Sequence, residues 1–188
     1  MGGITENTQE SWMWGTTFLG QHMQHNYWLY YLLDDVIGSN PQIRSIVELG
    51  TGFGALTVVL GLHAVCRNIR VCSVDIDATK SQALHPLFDR LRIHHAEGDV
   101  FSEKMIAEIE TFIASQCTYV VCDNGDKIRE FKTWSPTITR GSVISVHDWD
   151  DEICMEDIRD MVEVHGLKPW KPERWGEMRV QFATFIKG

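Results

Sequence analysis

Ser45-Ile46-Val47-Glu48-Leu49-Gly50-Thr51-Gly52-Phe53-Gly54-Ala55-Leu56-Thr57 is the stretch that decides the fold. An apolar run carries one acid near its end, three alternating glycines follow, and a segment with helical pattern begins. This reads as a buried parallel strand entering a helix through a loop whose backbone comes close to a ligand. Glycine suits such a loop because it accepts positive φ and has no Cβ to hold a ligand away. The first turn of the following helix presents N–H groups with no partner in the helix.

Working outward, the pattern alternates strand and helix. Strands are expected at Ile43–Leu49, Arg70–Val74, Leu91–His95, Thr118–Cys122 and Ser142–Val146. Helices are expected at Gly54–Val65, Thr79–Arg90, Ser102–Ser115, Lys127–Thr137 and Glu152–Val164. Such alternation predicts an α/β fold, Rossmann-like and doubly wound, with helices on both faces of a mostly parallel sheet. The end departs from it. Leu167–Trp170 and Met178–Ile186 read as two strands separated by a turn region, Lys171 to Glu177, so the sheet should finish in an antiparallel hairpin. Before the alternation, Asn26–Ile37 carries an apolar stripe of helical period that Gly38 and Pro41 are expected to stop. The aromatic-rich run Ser11–Gln24 reads as core cover or as part of a lid over an acceptor pocket.

With 188 residues, the chain is expected to form a single domain, an N-terminal cap segment and helix (residues 1–40) followed by a Rossmann-like core (residues 41–188). That length also weighs against a dehydrogenase, which usually adds a second domain for its substrate. A net charge of −9 argues against nucleic acid as the main partner, because phosphate binding needs a basic face. The five cysteines are odd in number and show no CxxC spacing, so no disulfide framework or zinc cluster is expected. With no 18-residue apolar run and no signal-peptide pattern, the expected location is the cytoplasm, away from membranes. The tryptophan-rich N-terminus is a surface on which a second copy could pack, making a homo-oligomer.

In an open α/β sheet, ligands collect beyond the carboxyl ends of the strands, so polar residues there are the candidates. Gly50, Thr51, Gly52 and Gly54 form the loop itself. Gly50, Gly52 and Ala55 also satisfy a dinucleotide fingerprint, which leaves an NAD(P)-binding oxidoreductase as a rival. Charge separates the two: an acid at the strand end, Glu48, suits a cationic ligand and repels a pyrophosphate. Asp75 ends the second strand, where a carboxylate accepts ribose hydroxyls, and Ile76 beside it is placed to pack on adenine. Asp77 reads as a helix cap. Asp99 is a candidate acceptor for the adenine amino group, with Val100 as an apolar edge; the alternative for Asp99 is a turn that caps the next helix. Asp123 follows the fourth strand and His147 and Asp148 the fifth, on strands that should be neighbours. Two carboxylates and an imidazole there can hold a divalent ion that activates an acceptor hydroxyl, although acids also gather at a helix N-terminus for electrostatic reasons. Lys127 is a candidate base if its surroundings lower its pKa, and otherwise a solvated first-turn lysine.

Glu48-Leu49-Gly50-Thr51-Gly52-Phe53-Gly54 and Val74-Asp75-Ile76-Asp77 resemble motifs of the class I S-adenosylmethionine-dependent methyltransferases, whose sheet likewise ends in a hairpin. Within that superfamily the chain is most similar to the cephalosporin hydroxylase-like and rhamnosyl O-methyltransferase group, a match to which the N-terminal run Trp14-Gly15 through Gln21-His22-Met23-Gln24 to Trp28 and Tyr30 contributes. Catechol O-methyltransferase is more distantly similar. The resemblance implies methylation of a hydroxyl on a small molecule or sugar, by in-line displacement at the methyl carbon. It implies S-adenosylmethionine as cofactor, with Glu48 holding its ammonium, and Mg²⁺ or Mn²⁺ at Asp123, His147 and Asp148. His147 departs from the family pattern, which usually has an acid there, and the base lysine of catechol enzymes falls on Asp126, not Lys127. A module that binds the cofactor without catalysis remains a further alternative.

Overall fold

The computed structural model describes residues 16–23, 25–114, 116–178 and 181–188. A short antiparallel pair, β1 (Thr16–Phe18) and β2 (Gln21–Met23), precedes helix α1 (Trp28–Ser39). Then follow β3 (Ser45–Leu49), α2 (Ala55–Arg67), β4 (Arg70–Asp75), a 3₁₀ turn (Ala78–Leu84), α3 (His85–Leu91) and β5 (Ile93–Glu97). The second half holds α4 (Glu103–Ile113), β6 (Thr118–Cys122), α5 (Lys127–Trp134), β7 (Val143–Val146), α6 (Met155–Val164), β8 (Leu167–Pro169), α7 (Pro172–Met178) and β9 (Ala183–Lys187).

Among the described residues the central sheet has seven strands in the order β5-β4-β3-β6-β7-β9-β8. β9 pairs antiparallel with both β7 and β8, and the other pairings are parallel. The order reverses direction between β4–β3 and β3–β6, so a crevice opens beyond the carboxyl end of β3, as in other doubly wound sheets. Successive residues supply opposite faces, the period-2 rule of a strand. Ile46, Val71, Tyr119 and Val121 join the core beneath α1, α2 and α3. Val47, Leu49, Cys72, Val74, Val120 and Cys122 join the core beneath α4, α5 and α6. Fully burying one such aliphatic side chain is worth about 1.5–3 kcal/mol, so two cores of this kind fix the register of every central strand.

Several boundaries differ from the sequence expectation. The helix expected over Thr79–Arg90 is split, because Pro86 lacks an N–H and is tolerated only in a first turn; α3 starts at His85 and the 3₁₀ turn precedes it. Arg92 then ends α3 with φ of 57°, which delays the next strand from Leu91 to Ile93. Gly38 does not stop α1, which continues to Ser39 and ends where the Asn40 side chain donates to the Val36 carbonyl at 2.7 Å. Lys171 to Glu177 is not a bare turn: α7 occupies it, opened by Pro172, and the strand expected from Met178 begins only at Ala183. The acids at 148–152 precede α6 instead of forming its first turn. That helix starts at Met155, with the Asp157 carboxylate accepting from the Cys154 N–H at 2.8 Å. Of Ser11–Gln24, residues 16–23 form the β1–β2 pair, and residues 11–15 and 24 lie outside the described residues. No helix among the described residues is long and apolar enough to cross a membrane.

Candidate functional site

The Gly50–Gly54 loop leaves β3 at the topological switch point, and its glycines are required by geometry. Gly50 has φ of 97°, and a Cβ there would stand 2.3 Å from the Asp123 carbonyl oxygen. Gly54, at φ of 81°, would bring a Cβ to 2.7 Å from the Phe88 ring. Gly52 is different: its φ is 51° and the space around it is open. Its N–H donates to Asp75 Oδ2 at 2.8 Å. A cleft of about 200 Å³ opens above the loop, lined by Gly50–Leu56, Asp75, Ile76, Lys80, Asp123–Gly125, His22, Met23 and His25.

Asp75 is 6% exposed, and its other carboxylate oxygen accepts from the Asp77 N–H at 2.9 Å. Two backbone donors fix this carboxylate on the cleft wall and leave lone pairs for a ligand hydroxyl. Ile76 follows at 66% exposure, an apolar surface facing the cleft with no protein cover. Asp77 caps the 3₁₀ turn as expected, accepting from the Thr79 N–H. Thr51 lines the cleft, and its hydroxyl shares a hydrogen with Ser73 Oγ at 2.6 Å.

Four candidates sit differently from the expectation. Glu48 does not reach the cleft. It is fully buried on the α2 face of β3, where Oε2 accepts from Ser73 Oγ at 2.5 Å and Thr57 Oγ1 at 2.6 Å. Among the described residues Oε1 has no hydrogen-bond partner. Burial outweighs the two hydroxyl donors and pushes this carboxyl up to about 8, with the charges of Asp123 and Asp75 adding to the rise. Asp99 and Val100 are not on the cleft wall either: Asp99 Oδ1 accepts from the Phe101 N–H in a local turn, and Val100 is fully buried. Lys127 is neither solvated nor primed as a base. It is 7% exposed, with Nζ 2.8 Å from Asp148 and 2.7 Å from Glu152. Burial works against its charge, but these carboxylates outweigh it and hold the ammonium above its ordinary range.

Beyond the loop, three side chains converge. Asp123 Oδ1 lies 2.8 Å from His147 Nδ1, and Oδ2 lies 3.0 Å from His25 Nε2. His25 Nδ1 and His147 Nε2 are 3.1 Å apart, which closes a ring of contacts. One donor atom from each of the three lies within 4.8 Å of the others. His147 is itself 8% exposed, and burial lowers its basicity, yet Asp123 and Asp148 outweigh that and raise it to about 9. Burial works against the Asp123 anion, and the two imidazoles overcome it and hold the carboxyl well below its usual range. Asp148, which the sequence groups with Asp123 and His147, contacts His147 Nδ1 at 3.2 Å and gives its other oxygen to Lys127. In its place the structure supplies His25. It comes from the short link between β2 and α1, a stretch with no helical or strand period; its one sequence signal is the His22-x-x-His25 spacing.

No family model matches the chain, and no curated protein matches it in sequence. Solved structures do match in fold. A structure of CmcI with Mg and SAM shares 13% identity over 92% of this chain and 76% of that one, with a TM-score of 0.71. A CmcI structure with SAH shares 14% identity over 92% and 81%, with a TM-score of 0.65. The O-methyltransferase TomG from Streptomyces achromogenes, involved in tomaymycin synthesis and solved with SAM, shares 15% identity over 85% and 78%, with a TM-score of 0.54. At these identities the likeness is one of fold. The chain has the Rossmann-like methyltransferase fold, with the antiparallel β9 set between β7 and β8.

Proposed function

We propose that the chain is an S-adenosylmethionine-dependent methyltransferase acting on a hydroxyl of a small molecule or sugar. The observation that carries this reading is the cleft at the switch point, where the glycine loop, the Asp75 carboxylate and the bare Ile76 surface meet. These residues fit the cofactor by their own chemistry. Positive-φ glycines let backbone come close, Asp75 has lone pairs for the ribose hydroxyls, and Ile76 offers a flat apolar contact for adenine. The strand order favours the same reading over a nicotinamide enzyme, whose six-stranded sheet runs 3-2-1-4-5-6 with no inserted antiparallel strand.

When bound, S-adenosylmethionine supplies an electrophilic methyl group on a positively charged sulfur. The protein's contribution is alignment: holding the acceptor oxygen in line with the C–S bond removes most of the entropic barrier. An alcohol must lose its proton as it attacks, and Asp123, on the cleft wall, belongs to the group that can assist. A divalent ion held by Asp123 and His147 would lower the pKa of an acceptor hydroxyl. Lys127 serves this reading as a fixed cation that positions Asp148 beside His147, not as the base. The whole chain acts as one domain, with β2 and the link to α1 forming one side of the acceptor entrance through His22, Met23 and His25.

Calorimetry with S-adenosylhomocysteine tests the reading. The wild type should bind it and Asp75→Ala should bind it at least tenfold more weakly. Tight binding of NADH, or equal affinity of the two proteins for S-adenosylhomocysteine, would overturn it.

A further inference from the structure

The three groups that converge beside the cleft offer two imidazole nitrogens and one carboxylate. We propose that His25, Asp123 and His147 form a metal site with a nitrogen-rich donor set, selective for a first-row transition ion such as Fe²⁺, Co²⁺ or Zn²⁺ over Mg²⁺. The site rests on the reading of the cleft as the cofactor pocket only for its role; the donor set stands on the geometry alone.

Five observations support it. One donor atom from each of the three residues lies within 4.8 Å of the other two, so small side-chain rotations bring all three onto one ion with bonds of about 2.1 Å. His25 and His147 are 6% and 8% exposed, so ordinary solvation does not account for them. Phe182, fully buried, stands 5.7 Å from the His25 ring and 5.1 Å from the His147 ring, an apolar wall behind the cluster. On the other side, His25 and Asp123 line the cleft, so an ion held there would face the cleft. Asp148 and Lys127 lie one shell out, with Asp148 on His147 Nδ1, the outer partner that orients a ligating imidazole.

The donor chemistry selects the ion. Mg²⁺ demands oxygen ligands in near-octahedral array and keeps several waters, whereas imidazole suits zinc, iron, nickel and copper. Exchanging an oxygen for a nitrogen at His147, and recruiting a second nitrogen from His25, moves the site from one class to the other. The rival is a metal-free hydrogen-bond ring, with both imidazoles donating to Asp123 and one of them donating to the other.

Tag-free full-length protein, stripped with chelator, would be titrated with Co²⁺ while its visible absorption is followed, and separately with Mg²⁺ by calorimetry. Wild type should take one Co²⁺ per chain with at least tenfold higher affinity than Mg²⁺. His25→Ala should weaken Co²⁺ by at least about tenfold, since even loss of an outer partner costs 10–100-fold, while His165→Ala, at the C-terminal end of α6, should titrate as wild type. His25→Asn, with circular dichroism on each variant, separates ligand loss from misfolding. Absence of a Co²⁺ signal in the wild type, equal affinity for Mg²⁺, or a His25→Ala titration identical to wild type would each overturn the site and favour the hydrogen-bond ring. S-adenosylhomocysteine calorimetry on the same samples keeps the two proposals apart: binding without Co²⁺ uptake sinks the metal site and leaves the cofactor reading standing.

Discussion

Glu48→Gln should stabilise the protein increasingly as pH rises. Glu48 is fully buried with one oxygen bonded to two hydroxyls and the other unpartnered among the described residues, so its anion is poorly solvated. Its folded pKa is about 8 against an ordinary 4.5. A carboxyl raised in this way favours folding fully below 4.5, and that contribution is lost as pH climbs toward 8. Over this window the unfolded chain has released the proton and the folded chain still holds it. The loss runs at about 1.4 kcal/mol per pH unit, or about 3 kcal/mol between pH 5 and pH 7. Glutamine has the same shape, carries no charge at any pH and keeps an oxygen for Thr57 and Ser73, so the loss disappears. Urea unfolding of both proteins at pH 5, 6 and 7 measures the difference in stability. Packing differences and every other titrating group are common to the series, so the pH trend of that difference isolates Glu48. The expected result is an advantage of the glutamine variant that grows by about 3 kcal/mol across the window. A difference independent of pH, or one that shrinks as pH rises, would refute the buried, proton-holding Glu48.

Gly50→Ala should lose S-adenosylhomocysteine binding and several kcal/mol of stability. The positive φ alone costs about 1–2 kcal/mol, and the new methyl meets backbone of Asp123 that no rotamer change can move; Gly38→Ala, in α1 away from the cleft, where a Cβ meets nothing within 4 Å, is the control for both readouts. Lys127→Met should lower the urea midpoint, corresponding to about 1–3 kcal/mol. This is below the 3–5 kcal/mol for breaking a wholly buried pair, because Glu152 is largely exposed and regains water. Unchanged stability in Lys127→Met would show that the ammonium is solvated after all.

Where the sequence is informative, a single periodicity carries the information. The β3–α2 turn is legible because Gly50 and Gly54 answer local demands, a positive φ and a close neighbour, that no other residue meets. The parallel sheet follows from alternation alone, since a buried parallel strand and its crossover helix each declare their own period. Asp75 and Ile76 are legible for the same reason, as the last residue of a strand and the next. Glu48 is misplaced by such a reading because alternation gives the face of a strand but not what covers it. Its neighbours along the chain are apolar, and the Ser73 and Thr57 hydroxyls that hold it away from the cleft come from a different strand and helix. Asp148 and Lys127 are misplaced alike, each assigned to solvent or ligand when they pair with each other across the β7–α6 and β6–α5 connections.

His25 shows where a sequence reading stops. A residue between two elements belongs to no period, so only the docking of its neighbours can place it. Here that docking is specific. Met23, two residues earlier, is buried in the core with Leu29, Leu32 and Leu33 of α1, and Asn26 caps the start of α1 by accepting from the Trp28 N–H at 3.0 Å. With both sides of the link fixed, the imidazole is left at Asp123 and His147, at the carboxyl ends of strands that lie as much as 122 positions later in the chain. The N-terminal segment is therefore part of the candidate site itself. Its apolar residues do the anchoring, and His25 in their midst changes which chemistry the strand ends can support.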